Sequence, residues 1–232
     1  MYSNKYIIIY AAVMVVIVAT VLATAAIQLK PFQERNVRIE KMQNILTSVG
    51  IESTPENAEK IYDQYIKEEI VINNNGEVIG NKAFEIDLAN ELKKPEANRN
   101  YPLFIAETGG QKYYIVPMRG KGLWGPIWGY VALESDLNTV YGTNFDHKSE
   151  TPGLGAEINE TPFQQQFVGK KIFDEEGKFT SILVRKGGAR EGDLHEVDAI
   201  SGGTITSDGV TKMLRDGIGN YLPYFEKQRR QS

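Results

Sequence analysis

The apolar pattern begins as an unbroken run. Residues 6–27, YIIIYAAVMVVIVATVLATAAI, carry no charge and are long enough to cross a hydrocarbon layer as one helix. The competing pattern is a cleaved signal, for which Ala23-Thr24-Ala25 would serve as the cleavage site. Against it, the run exceeds the roughly 7–15 residues of a signal core, and no polar cleavage region follows closely.

Beyond the run the pattern becomes periodic. Pro31 is expected to interrupt the membrane helix, after which Ile39, Met42, Ile45, Leu46 and Val49 recur at helical spacing up to Gly50. Thr54-Pro55 reads as a cap with proline in the first turn, placing Ala58, Ile61, Tyr62, Tyr65 and Ile66 on one helical face. Asn75-Gly76 within VINNNGEVI is a two-residue hairpin signal, so strands are expected from about position 70.

Strand-like pieces follow at 83–88 (AFEIDL), 113–118 (YYIVPM) and 127–135 (IWGYVALES). KKIF and FTSILV, separated by DEEGK, read as a further hairpin. Hairpins in place of regular strand–helix crossovers predict an α+β fold: one N-terminal transmembrane helix, then a mainly antiparallel sheet with packed helices. The expected divisions are an anchor at 1–30, a helical connection at 31–70 and the α+β domain at 71–232.

Charge and composition narrow the chemistry. Lys5 and Lys30 are the only charged side chains among the first thirty residues, so a net charge of −4 leaves −6 on the rest and gives no general reason to bind nucleic acid. The chain has no cysteine, which removes disulfides, thiolate nucleophiles and cysteine-held iron–sulfur clusters, so redox chemistry would have to come from a bound group. Lys30, Arg35, Arg38 and Lys41 after the span outnumber Lys5 and the α-amino group before it, a weak bias toward a cytoplasmic domain.

Three segments carry candidate chemistry. In SGGTITSDGVTKML, residues 201–214, two glycines permit tight turns, and Val210, Met213, Leu214 and Ile218 give the following helix one apolar face. Thr206 and Ser207 are expected caps, so the turn sits at the positive helix end, where an anion would meet backbone N–H groups. An ordinary Gly/Ser/Thr cap fits the same residues.

In RGKGLWGPIWGYVAL, residues 119–133, Gly120, Gly122, Gly125 and Gly129 allow close backbone approach, and Trp124 and Trp128 offer broad apolar surfaces. A packed core corner and a flat-ligand site both fit, but the glycine spacing matches neither a dinucleotide fingerprint nor a phosphate-binding loop.

In FDHKSETPGLGAEI, residues 145–158, Asp146, His147 and Glu150 precede a Thr151-Pro152-Gly153 turn. His147 could exchange a proton, with Glu150 orienting it, although an ordinary polar loop has the same composition. His195 is isolated in sequence, which leaves no metal-ligand spacing, and neither Ser149 nor Ser201 sits in a nucleophile elbow.

Taken with the anchor, GLWGPIWGYVAL, HKSETPGLGAEI and DAISGGTITSDGV make nearly the whole chain resemble the C subunits of the bacterial sodium-translocating NADH:quinone oxidoreductases. In that family a flavin transferase attaches FMN by a phosphodiester to the last threonine of a Ser-Gly-Ala-Thr motif. The resemblance implies Thr204 as the attachment point, preceded by Ser201 and Gly202, with Gly203 in place of the usual alanine. It further implies that Leu123, Trp124 and Gly125 shape the ring side and that Lys121 favours an anionic flavin or its phosphate. Glu150, Thr151 and Gly153 are implied to border the isoalloxazine, and Thr206 and Ser207 to bond near the phosphate.

The implied role is an electron-carrying member of a six-subunit complex that oxidises NADH, reduces quinone and exports sodium ions. NADH itself is not expected to bind here. The implied location is the bacterial inner membrane, single-pass, with the flavin domain on the periplasmic side, contrary to the charge count. The G subunits of RNF-type ferredoxin:NAD oxidoreductases share a similar threonine motif and are the alternative, as is a membrane-anchored structural protein without cofactor.

Overall fold

The computed structural model describes residues 3–230. The chain divides into two compact units, one ending at Lys41 and the other beginning at Met42. Helix α1, Asn4–Ser48, supplies residues 4–41 of the first unit, and it is long and apolar enough to cross a membrane. The expected break at Pro31 does not occur. A proline removes one i→i−4 bond, while the turns on either side keep theirs, so a long helix can continue through it.

In the second unit α1 ends in a Schellman motif: Ile51 N–H donates to Leu46 O at 3.0 Å and Gly50 N–H to Thr47 O at 2.9 Å, with Gly50 at φ 71°. Helix α2, Ala58–Tyr65, starts later than Thr54-Pro55 suggests. The Asn57 side chain accepts from Thr54 N–H at 2.7 Å, which closes a separate turn ahead of the helix.

Strands β1 (Ile66–Asn73), β2 (Val78–Gly80), β3 (Asn100–Thr108), β4 (Gln111–Lys121), β5 (Pro126–Leu133) and β6 (Val140–His147) form one antiparallel sheet of order β2-β1-β3-β4-β5-β6. The Asn75-Gly76 turn joins β1 to β2 as expected. The 83–88 segment is not a strand: it forms a 3₁₀ turn at Ala83–Glu85 and opens helix α3, Leu88–Glu91, capped where Asp87 accepts from Ala89 N–H at 2.9 Å.

Both sheet faces are covered. Tyr62 of α2 meets Phe104 on one face, while Met118, Ile127 and Val131 join the main core on the other. That core contains Phe163 of helix α4, Thr161–Gln165. It is closed by helices α5, Thr204–Gly219, and α6, Leu222–Arg229. Helix α5 lies unusually close to β4, since a Cβ on Gly120 would stand 2.8 Å from Met213 and one on Gly217 would stand 2.6 Å from Met118.

The second expected hairpin is also corrected. Between KKIF and FTSILV the structure has a single antiparallel bridge, Phe173 to Phe179. Strand β7, Leu183–Arg185, instead pairs in parallel with β8, Glu196–Asp198. Side chains take the N–H groups a ladder would need: Asn138 Oδ1 accepts from Ile172 and Phe173, and Asp174 Oδ1 from Glu176 and Lys178.

Candidate functional site

Three loops meet at the N-terminus of α5. The first is the tip Gly122–Gly125 between β4 and β5, closed by Gly122 N–H donating to Gly125 O at 2.8 Å. The second is the turn after β6 containing Ser149 to Gly155, and the third is the turn 200–203. Gly202 has φ 75°, and a Cβ there would lie 2.5 Å from Leu154 Cδ2, so the third loop needs glycine both for its backbone and for its neighbour.

Glu150 ties the loops together. Only 5% exposed, it accepts from Trp124 N–H through Oε1 at 2.8 Å and from the Thr206 hydroxyl through Oε2 at 2.6 Å. Burial alone would raise its pKa, but the Thr206 hydroxyl and the N–H groups of Trp124, Leu123 and Gly125 together outweigh that, so the carboxyl titrates below its ordinary value. Glycine backbones wall the carboxylate: a Cβ on Gly122 would stand 2.5 Å from Oε1, and one on Gly155 2.5 Å from Oε2.

Several expectations change in this geometry. Thr206 and Ser207 are not caps; Gly203 occupies the N-cap without a side-chain bond, and both hydroxyl residues are buried inside the first turns of α5. Ser207 Oγ accepts from Ile200 N–H at 3.2 Å, and Ser207 N–H donates to Gly203 O at 2.9 Å, which braces the 200–203 turn from beneath. The Glu150 carboxylate does not orient His147; only the Glu150 backbone N–H reaches His147 Nδ1, at 3.2 Å.

The remaining expected residues surround this network. Thr204 is the first residue of α5 and is partly exposed, with Ser201 and Gly202 exposed before it. Among the described residues, the N–H groups of Thr204, Ile205 and Thr206 have no protein acceptor, so the uncapped helix end has three unpaired donors, two of them on residues open to solvent, and its positive dipole end available to an anion. Thr151 and Gly153 are exposed on the neighbouring turn, where Gly153 N–H donates to Glu157 at 3.0 Å. Lys121 is exposed at the end of β4; Gly120 faces α5, so strand alternation turns the Lys121 side chain to the other face of the sheet.

Leu123, Trp124, Leu154 and Ile205 are 46%, 66%, 41% and 56% exposed, an apolar rim around the donors. The sequence patterns single out neither Leu154, Gly155 nor Ile205. The available signal is an apolar residue beside a required glycine in Leu154-Gly155, and one beside the first residue of α5 in Thr204-Ile205.

The FMN-binding domain family matches residues 122–219, which begin at the hairpin tip and run through α5. The chain is 32% identical to the C subunit of the Na(+)-translocating NADH-quinone reductase of Vibrio vulnificus, over 90% of this chain and 89% of that one. It is 34% identical to the protein of the same name from Neisseria meningitidis serogroup B, over 91% and 89%. The fold is similar to the crystal structure of the corresponding C subunit from Parabacteroides distasonis, with TM-score 0.79, 43% identity, and coverage of 85% of this chain and 96% of that one. The Shewanella oneidensis NqrC crystal structure gives TM-score 0.73 at 29% identity, covering 83% and 98%.

Proposed function

The chain belongs to the C-subunit family of the Na(+)-translocating NADH-quinone reductases and has an FMN-binding domain, and from that premise we propose that it relays electrons through FMN esterified to Thr204. Most support comes from the partly exposed Thr204 at a helix end whose first N–H groups have no protein acceptor among the described residues. An ester between Thr204 Oγ and the ribityl phosphate would leave one phosphate charge beside those donors and the positive helix end.

FMN supplies electron-transfer chemistry that no side chain of this cysteine-free chain provides. Thr204 acts as a tether. The N–H groups of Thr204, Ile205 and Thr206 hold the phosphate, and Ser201, Gly202 and Gly203 give the turn that exposes the hydroxyl. Leu123, Trp124, Gly125 and Leu154 supply an apolar surface for the ring, bordered by Thr151 and Gly153. Thr206 and Ser207 brace the turn from inside, and Lys121 contributes positive charge near the hairpin.

In the assembled reductase the protein exchanges electrons with neighbouring redox subunits, after a flavin transferase has modified Thr204. The apolar stretch of α1 anchors it in the inner membrane, with the flavin domain on the periplasmic side. Co-production with an active flavin transferase, followed by in-gel flavin fluorescence after denaturation, tests the attachment. Wild-type protein is expected to fluoresce and Thr204→Val to be dark; equal fluorescence from the two would overturn the assignment.

A further inference from the structure

Among the described residues Glu150 is the one buried carboxylate at this site, and the partners of its side chain are uncharged: the Trp124 N–H at 2.8 Å and the Thr206 hydroxyl at 2.6 Å, with the N–H groups of Leu123 and Gly125 nearby. Trp124 sits on the exposed hairpin tip, and Thr206 lies two residues after the attachment threonine. The contacts span 26 and 56 residues of sequence, so a single side chain fixes the hairpin relative to the flavin-bearing helix turn.

We propose that Glu150 is the positioning residue of the flavin site: its carboxylate clamps the Gly122–Gly125 tip to the first turn of α5, and its uncompensated charge holds the flavin potential down. The clamp follows from the geometry of the two bonds and from the glycines at 122 and 155, which leave space for the carboxylate and little else. The electrostatic effect follows because a fixed negative charge in a poorly solvated setting disfavours further negative charge nearby. This second part rests on flavin being carried at Thr204; the clamp does not.

Glu150→Gln preserves shape and can keep both bonds, with its carbonyl oxygen at Trp124 and its amide donating to the Thr206 oxygen, while removing the charge. Spectroelectrochemical titration of the flavinylated variant is expected to give a more positive potential than wild type, with the covalent flavin retained. An unchanged or more negative potential would overturn the electrostatic role. Thr206→Val keeps the charge and removes one bond, so its potential should move less than that of Glu150→Gln; a larger shift would also overturn it.

The clamp is read by hydrogen exchange at the Trp124 amide in flavin-free, full-length protein, which separates it from the Thr204 assignment. That amide should be protected in wild type and in Glu150→Gln. In Glu150→Ala it should exchange at least about tenfold faster, with β4 amides unchanged as a folding control. If Glu150→Ala does not fold, the wild-type and Glu150→Gln measurements still decide: an unprotected Trp124 amide in either would overturn the clamp.

Discussion

Glu150 and Glu196 are buried to a similar extent, 5% and 3% exposed, but the protein satisfies them differently. Glu196 receives Arg185 at 2.7 Å and Arg190 at 2.5 Å, and Arg190 also donates from its backbone N–H at 3.1 Å. Glu150 receives only backbone N–H groups and a threonine hydroxyl. A paired carboxylate holds the loop between β7 and β8 with its charge neutralised, whereas a hydrogen-bonded but unpaired one keeps its charge in place. The second arrangement suits a site that must act on a charged cofactor, and it lies beside the first turn of α5, where the flavin is proposed to be attached.

The two corners should therefore fail in different ways. The largest contrast is between Thr204→Val and Glu196→Gln. The first should lose all covalent flavin with little change in thermal unfolding, because Thr204 is partly exposed; the second should keep full flavin loading and lower Tm. Denaturing-gel fluorescence and a melting curve on each protein check this, and loss of flavin in Glu196→Gln would dissolve the distinction.

Gly155→Ala should come next. Its new Cβ would collide with Thr206 and stand 2.5 Å from Glu150 Oε2, so urea unfolding should show a loss of about 1–3 kcal/mol. The matching substitution Gly192→Ala, in the Glu196 corner, has no atom within 4 Å of its Cβ and faces only the strain of φ 74°. It should cost less, about 1 kcal/mol.

Thr206→Val leaves Glu150 one donor short and should cost roughly 1 kcal/mol in the same assay. The smallest effect is in the acid titration of Glu196, whose pKa the Arg190 side chain and further bonds hold down to about 2 despite burial, from an ordinary 4.5. The folded-state value lies below the unfolded one, so its stabilisation is complete above about 4.5 and is lost as pH falls toward about 2. Melting curves across that window should be flatter for Glu196→Gln than for wild type.

Sequence makes parts of this legible and hides others for physical reasons. The Asn75-Gly76 hairpin, β4, β5 and the amphipathic face of α5 are readable because their signals are local. The 83–88 and 170–184 segments mislead because Asp87, Asn138 and Asp174 take backbone N–H groups that a strand pattern would assign to a ladder. At the site, the glycines and hydroxyls are visible, but their division of labour is not. Thr206 and Ser207 have the composition of caps, yet the helix already starts at Thr204, and the partners of the Glu150 carboxylate lie far along the chain.

Peptide mass spectrometry of the membrane-derived protein, made alongside an active flavin transferase, tests the central claim most directly. The peptide spanning residues 201–214 should carry one FMN phosphodiester, with fragmentation placing it on Thr204 rather than on Ser201, Thr206, Ser207 or Thr211. An unmodified peptide, or FMN on any of those other hydroxyls, would contradict Thr204 as the tether.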